Sequence, residues 1–227
     1  MKLLLSLVLL LGVMVLGQYS QAVPLSVSRR DAKFPTQQMV EKQTFTDALA
    51  SNAGQIKNAG YAGPTSAAAV TLSTFDAQPD VPRTLSVTPG GTTGDVEACV
   101  VTINGTDIFG GSISETFTFA ANATGKVTGF KAFASVTSAV WPANCESGGF
   151  AATWSIGTES ALGLKRCVSN AGDYFFSLLN GAKEGTGPTI HSSGNSSVAS
   201  NTVVFNGSLD GSNDFILYFM QNYQCFP

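Results

Sequence analysis

The 227-residue chain carries a formal net charge of −3, a pI near 5.0 and only 12% charged residues, against about 25% in an average soluble protein. With 12 Lys and Arg against 15 Asp and Glu there is no basic excess to neutralise a phosphate backbone, which argues against a nucleic-acid partner. No lysine run or acidic tail points to a charged membrane surface.

The chain opens MKLLLSLVLLLGVMVLG, one lysine and then an apolar run, with small residues following at Ser20 and Ala22. This is the pattern of a cleaved secretion signal. The run from Leu3 to Leu16 is shorter than the roughly 20 residues that a bilayer span needs, and no later stretch is long enough. Residues 1–22 are therefore expected as a signal peptide, cut after Ala22 or after Gly17, and the mature protein as secreted and extracellular, without a membrane span. In SVSRRDAKF, the pair Arg29 and Arg30 resembles the cutting site of subtilisin-like proprotein convertases; the other reading is two solvated arginines. Residues 23–61 are expected as a propeptide remnant or flexible arm, with cleavage after Arg30 as an option. Inside it Met39, Val40, Phe45, Ala48 and Leu49 come close to helical spacing, which predicts a short helix; the alternative is an extended arm.

Residues 62–227 are expected as the β domain, and after Pro64 the period changes to two. TLSVT precedes the turn material PGGTTGD, and EACVVTI places Cys99, Val101 and Ile103 on one face. SISETFTF places Ile113, Phe117 and Phe119 on one face, with Glu115 as the exception. KVTGFKAFASVTSAVW follows, then AATWSIG, where Ala152, Trp154 and Ile156 alternate. DYFFSLLNG ends in the hairpin signal Asn180-Gly181. The last pair is NTVVFNG and DFILYFM, joined by SLDGSN, and DFILYFM reads as a strand buried on both faces. Short strands with glycine-rich turns predict an all-β fold, an antiparallel β-sandwich with a barrel as the alternative. Within VTINGTDIFGGSISETFTF, the turn of a hairpin is expected at Phe109-Gly110-Gly111, with Asn104-Gly105 a second candidate.

Four cysteines, Cys99, Cys145, Cys167 and Cys225, imply two disulfides in an oxidising compartment, and spacing leaves all three pairings open. There is no C-x-x-C and a single histidine, His191, so neither a metal nor any other cofactor is expected.

DVPRTLSVT, INGTDIFGGSISETFTF, TGFKAFASVTSAVW, SIGTESALGLKR and SLDGSNDFILYF occur in that order over about residues 62–222. Together they resemble a family of tailed-bacteriophage virion structural proteins, in which runs close to GTDxxG…TET, KAFxxVTS, GTGDALGLP and LDGSxD recur. The resemblance implies a non-enzymatic β-rich module seated in or on a protein assembly, and it carries no catalytic residues. The secretion signal, the cysteines, the sequons and the polar segment before the domain depart from that family.

For catalysis, His191 in GPTIHSSGNSS has no G-x-S-x-G elbow to serve. Ser147-Gly148-Gly149 lacks the aspartate of a protease loop, with Glu146 in its place. Asp95, Glu97, Asp107, Glu115, Glu146 and Glu159 are scattered at strand ends and turns rather than paired for glycoside hydrolysis. Glu115, on an apolar face, reaches solvent at an edge or else needs a partner. Asn104, Asn122, Asn195 and Asn206 open N-x-Ser/Thr triplets; Asn122 and Asn195, in turn-like surroundings, are the first candidates for a glycan. Trp141, Tyr61 and Tyr223 are candidates for an exposed aromatic surface, with packing in the core or at its rim the favoured alternative, while Trp154 is expected in the core.

These readings favour a secreted, non-enzymatic structural module that self-associates into an extracellular coat, fibre or wall layer. The alternative is a secreted monomeric binding protein acting on glycans, on the cell wall or on a host, with a hydrolase as a distant third.

Overall fold

The computed structural model describes residues 39–62, 69–91, 94–143, 145–147, 152–192 and 197–221, which belong to one compact unit, Gln38–Pro227. Ala22, Arg29, Arg30, Asn195, Tyr223 and Cys225 lie outside the described residues.

The architecture is all-β and antiparallel throughout. The strands are β1 (Met39–Phe45), β2 (Asn52–Ala62), β3 (Val70–Leu72), β4 (Arg83–Gly91), β5 (Cys99–Thr106), β6 (Ser112–Phe119) and β7 (Val127–Phe133). They continue as β8 (Ser135–Trp141), β9 (Ala152–Gly163), β10 (Tyr174–Leu179), β11 (Ala182–Lys183), β12 (Thr189–His191), β13 (Thr202–Val204) and β14 (Phe215–Gln221). They form three sheets: β1-β14-β10-β11 (sheet A), β12-β13-β9-β4-β7 with β2 also on β9 (sheet B), and β3-β8-β5-β6 (sheet C).

Alternation sets what each sheet buries. Leu85 and Val87 of β4, with Trp154 and Ile156 of β9, meet Val101, Ile103, Phe117 and Trp141 of sheet C in one core. Leu162 of β9 and Val203 of β13 meet Phe45, Phe215, Leu217 and Phe219 of sheet A in a second core. Each such side chain contributes roughly 2 kcal/mol by leaving water. The Trp154 ring lies edge-on to both Phe119 and Trp141, as its alternation with Ala152 and Ile156 predicted.

The hairpin reading of 101–119 holds. β5 and β6 pair from Cys99↔Phe119 to Thr106↔Ser112. The turn is tied by Asp107, whose carboxylate accepts from the N–H groups of Phe109 and Gly111, both at 2.9 Å. Asn104-Gly105 lies within β5 instead of turning. Gly105 is required by a close approach, because a Cβ there would run into the carbonyl oxygen of Ser135 and the Phe133 ring. The Asn180-Gly181 turn joins β10 to β11 with positive φ at both residues, 49° and 82°, as its residue types require.

Three local expectations are corrected. The helix expected from Met39 to Leu49 is strand β1, paired with β14 from Met39↔Gln221 to Phe45↔Phe215. A seven-residue ladder outweighs a weak helical pattern. Gln43 and Phe45 face inward, and Val40, one of the supposed helix-face residues, is 57% exposed. Gln43 satisfies its buried amide on the Gly163 carbonyl and the Lys165 N–H, both at 2.9 Å. DFILYFM is not buried on both faces: Phe215, Leu217 and Phe219 are buried, but Ile216, Tyr218 and Met220 are half-buried. Nor do its neighbours in sequence pair with it, since β13 joins sheet B and β14 joins sheet A.

One buried ion holds the segment after β1 against β4. Arg83 is fully buried, donates to the Leu49 carbonyl at 2.9 Å and places Nε 3.3 Å from Asp80. Asp80 in turn accepts from the Leu49 N–H at 2.7 Å. Burial pushes the guanidinium below its ordinary pKa range, and the Asp80 charge opposes that shift. Removing one partner leaves an uncompensated buried charge. Asp80→Ala is expected to destabilise the fold by roughly 3 kcal/mol in urea unfolding, and adding Arg83→Met is expected to recover much of that loss.

Candidate ligand-binding groove

β7 is the outer strand of sheet B and carries GFKAF, in which Phe130 and Phe133 are three residues apart. On a strand an odd spacing puts two side chains on opposite faces. Phe133 is fully buried, whereas Phe130 is 79% exposed, the highest value among the large exposed apolar residues described. Phe130 stands beside an open groove of about 800 Å³.

The groove follows the face of sheet B turned away from the two cores. β4 supplies Thr84, the residue before core-facing Leu85, and β13 supplies Thr202 and Val204, which flank core-facing Val203. β7 adds Thr128 and Gly129, and β9 adds Glu159, Ser160 and Ala161. His191 of β12 lies across the register from Thr202, with Ser192 and Ser200 close in sequence. Thr84 and Thr202 are each 2% exposed, while Thr128 and His191 are open to solvent. The Thr84 hydroxyl is enclosed with no hydrogen-bond partner among the described residues. Glu159 is the one carboxylate in this lining, and Lys126 holds it at 2.7 Å.

The position of Phe130 is fixed from behind. β6 is an edge of sheet C and β7 an edge of sheet B. They are joined at this point by a side chain rather than a ladder. The Glu115 carboxylate accepts from the N–H of Phe130 at 2.6 Å and of Lys131 at 3.2 Å. The Lys131 ammonium returns a bond to the Ser114 carbonyl at 2.7 Å. Gly129 leaves room for this carboxylate, since a Cβ there would collide with it. Glu115 is thus half-buried and partnered. Burial pushes its carboxyl above the ordinary range, and the bonds from Phe130 and Lys131, with the Lys131 charge, pull the other way without cancelling that.

Chemically this arrangement presents an aromatic face, an aliphatic lining from Ala161, Ala171, Ile190 and Val204, an imidazole, several hydroxyls and one neutralised carboxylate. Two-carboxylate hydrolysis needs a second acid facing the first, and the lining holds one. Ser147 is not in the groove; its hydroxyl donates to the Gly94 carbonyl at 3.2 Å. Among the described residues no three His, Cys, Asp or Glu side chains gather to hold a metal, and no helix is long and apolar enough to cross a membrane.

The other sequence candidates fall elsewhere. Trp141 is fully buried against Trp154, which rules it out as a surface platform: β8 carries it inward, in alternation with Ala139. The Tyr61 backbone pairs with Trp154, and Tyr223 is outside the described residues. Cys99 and Cys145 form a disulfide. Cys167 is also disulfide-bonded, and Cys225 lies beyond the described part. Asn122 is exposed in a turn at φ 62°, and Asn206 is exposed in a bend. Asn104, by contrast, sits in β5, one of the two inner strands of sheet C, and donates to the Ser138 hydroxyl at 3.0 Å. Phe130 was missed by the sequence reading, although the odd spacing of two phenylalanines in one strand carries the signal.

No protein-family model matches the chain, and neither does any curated protein or solved structure.

Because the folded pKa of Glu115 lies above its unfolded value, the protonated form is favoured by folding. That contribution is fully present below the unfolded value and is lost as pH rises through the folded one. Urea unfolding of the native protein and Glu115→Gln between about pH 4 and pH 7 is expected to show native stability falling relative to the variant as pH rises.

Proposed function

We propose that this protein is an extracellular binding module whose groove on sheet B takes a ligand without transforming it. The observation that carries the reading is Phe130, an aromatic ring left 79% exposed beside an 800 Å³ concavity. Isolated apolar residues on a surface are ordinary. An aromatic ring placed over a concavity of ligand size, with convergent polar groups, supports a binding site. The leader-like N-terminus supports secretion, the disulfide Cys99–Cys145 suits an oxidising compartment, and exposed Asn122 and Asn206 suit glycan attachment.

Self-association into a coat or fibre is the second reading, favoured by the outer face of sheet A. There Val40 and Phe175 are 57% and 51% exposed, beside the ring pair Phe176–Tyr218. The resemblance to virion structural proteins supports the same reading. The edges of that sheet are β1, which carries Glu41 and Lys42, and the two-residue β11, which carries Lys183; charges on an edge discourage strand addition. A copy would therefore dock on the face rather than extend the sheet. Light scattering of the secreted protein separates the two readings, since only the second requires a particle larger than one chain.

The binding reading is tested by ligand-observed NMR with a mixed set of oligosaccharides, aromatic fragments and organic anions. Phe130→Ala is expected to abolish the signal of any true groove ligand while shifting unfolding stability by no more than about 0.5 kcal/mol, as an exposed substitution does. A screen with no hit sensitive to Phe130 ends this reading.

A further inference from the structure

The lining of the groove restricts what fits it. An anionic ligand would call for arginine or lysine aimed inward, and the lining contains neither; Lys126 beside it is engaged with Glu159. A cation would meet a carboxylate that already has its counter-ion. A wholly apolar ligand would cover the Thr128 and Ser160 hydroxyls without replacing their water, at about 1–3 kcal/mol for each group left unpaired; the Ser192 hydroxyl already donates to the Ser169 carbonyl at 3.4 Å. The ligand must then be uncharged and have one apolar face together with many hydroxyl-sized donors and acceptors. Serine and threonine hydroxyls both donate and accept, so they match partners that do the same.

Resting on the reading of the groove as a binding site, we infer that its ligand is a neutral carbohydrate. The C–H face of a pyranose ring stacks on Phe130, and its hydroxyls bond to Thr128, His191 and the Glu159–Lys126 pair. The ring's negative π face meets the weakly positive C–H bonds of the sugar. The groove volume is that of a drug-sized molecule, which suits a short oligosaccharide rather than a single sugar. Its openness to solvent fits a chain that enters and leaves at the ends.

The experiment is a saturation-transfer NMR and calorimetric titration of the secreted protein. Its probes are neutral gluco-, manno- and galacto-configured oligosaccharides, set against oligogalacturonate, a sulfated oligosaccharide and indole. At least one neutral series is expected to bind, with upfield shifts of its ring C–H protons from the aromatic ring current. Phe130→Trp is expected to keep the binding. Phe130→Leu, which retains the apolar bulk and loses the π face, is expected to weaken it at least tenfold. Binding only of the anionic sugars or of indole, lost in Phe130→Ala, overturns the assignment to a neutral carbohydrate and leaves the groove reading standing. Binding of neutral sugars that is unchanged in Phe130→Leu removes them from the groove and overturns the assignment too. Silence from every probe overturns both.

Discussion

The two large hydrophobic cores among the described residues are both built on one strand. β9 runs twelve residues, and its first half gives Ala152, Trp154 and Ile156 to the core shared with sheet C. Its last residues give Leu162 to the core shared with sheet A. β4 follows it along one side, while β2 and then β13 take turns on the other. The register between β4 and β9 shifts between Arg83 and Leu85, which is where the strand passes from one core to the next. A bulge of this kind bends a strand and increases its twist. Small residues permit the crowding around β9: a Cβ at Gly157 would strike the backbone of Asn52 and Ala53 in β2, and one at Gly163 would approach Ala132 within 2.7 Å. A side chain at either site would push a neighbouring strand away from the spine.

The groove is the reverse side of that constraint. Since successive residues point to opposite faces, a strand that commits Leu85 or Val203 to a core must turn Thr84 or Thr202 outward. The apolar pattern of the inner face thus dictates where hydroxyls gather on the outer one. Around the groove, short polar side chains leave space rather than fill it, so a concavity persists between β7 and β12. The disulfide Cys99–Cys145 fastens the start of β5 to the segment after β8 across 46 residues of sequence. On the chain-entropy account such a closure stabilises by about 4 kcal/mol. Sheet C is thereby held independently of the seam at which β6 meets β7.

Much of this was legible in the residues, and the exceptions have physical causes. The all-β class, the hairpin at 101–119 and the turn at Asn180-Gly181 follow from period-two patterning and from residues that tolerate positive φ. Where a pattern was short and its pairing partner distant, local spacing misled. β1 looks faintly helical until β14, 170 or more positions away, supplies its ladder. Trp141, before a proline at a strand end, reads locally as either rim or core, and the parity of its strand places it beside Trp154. Asn104-Gly105 has turn chemistry, and its glycine answers a different need, the approach of β8. Nothing in the sequence announces the groove, because it is assembled from β4, β7, β9, β12 and β13, and no window of sequence holds more than a part of it.

The seam between β6 and β7 shows how a binding surface can be held at an unpaired edge. Edge strands expose N–H groups that invite a foreign strand. Here two such groups, on Phe130 and Lys131, are already occupied by the Glu115 carboxylate. The same bonds fix the backbone that carries the exposed ring. A neutral apolar residue at position 115 would suit the inner face of β6 better, judged by Ile113 and Phe117 on either side, and would leave those N–H groups unmet. A charged group on an apolar face is costly unless it is hydrogen-bonded, and this one is bonded to the two peptide groups that position Phe130. Glu115, anomalous as a strand residue, is accounted for by the edge it seals and the platform it steadies.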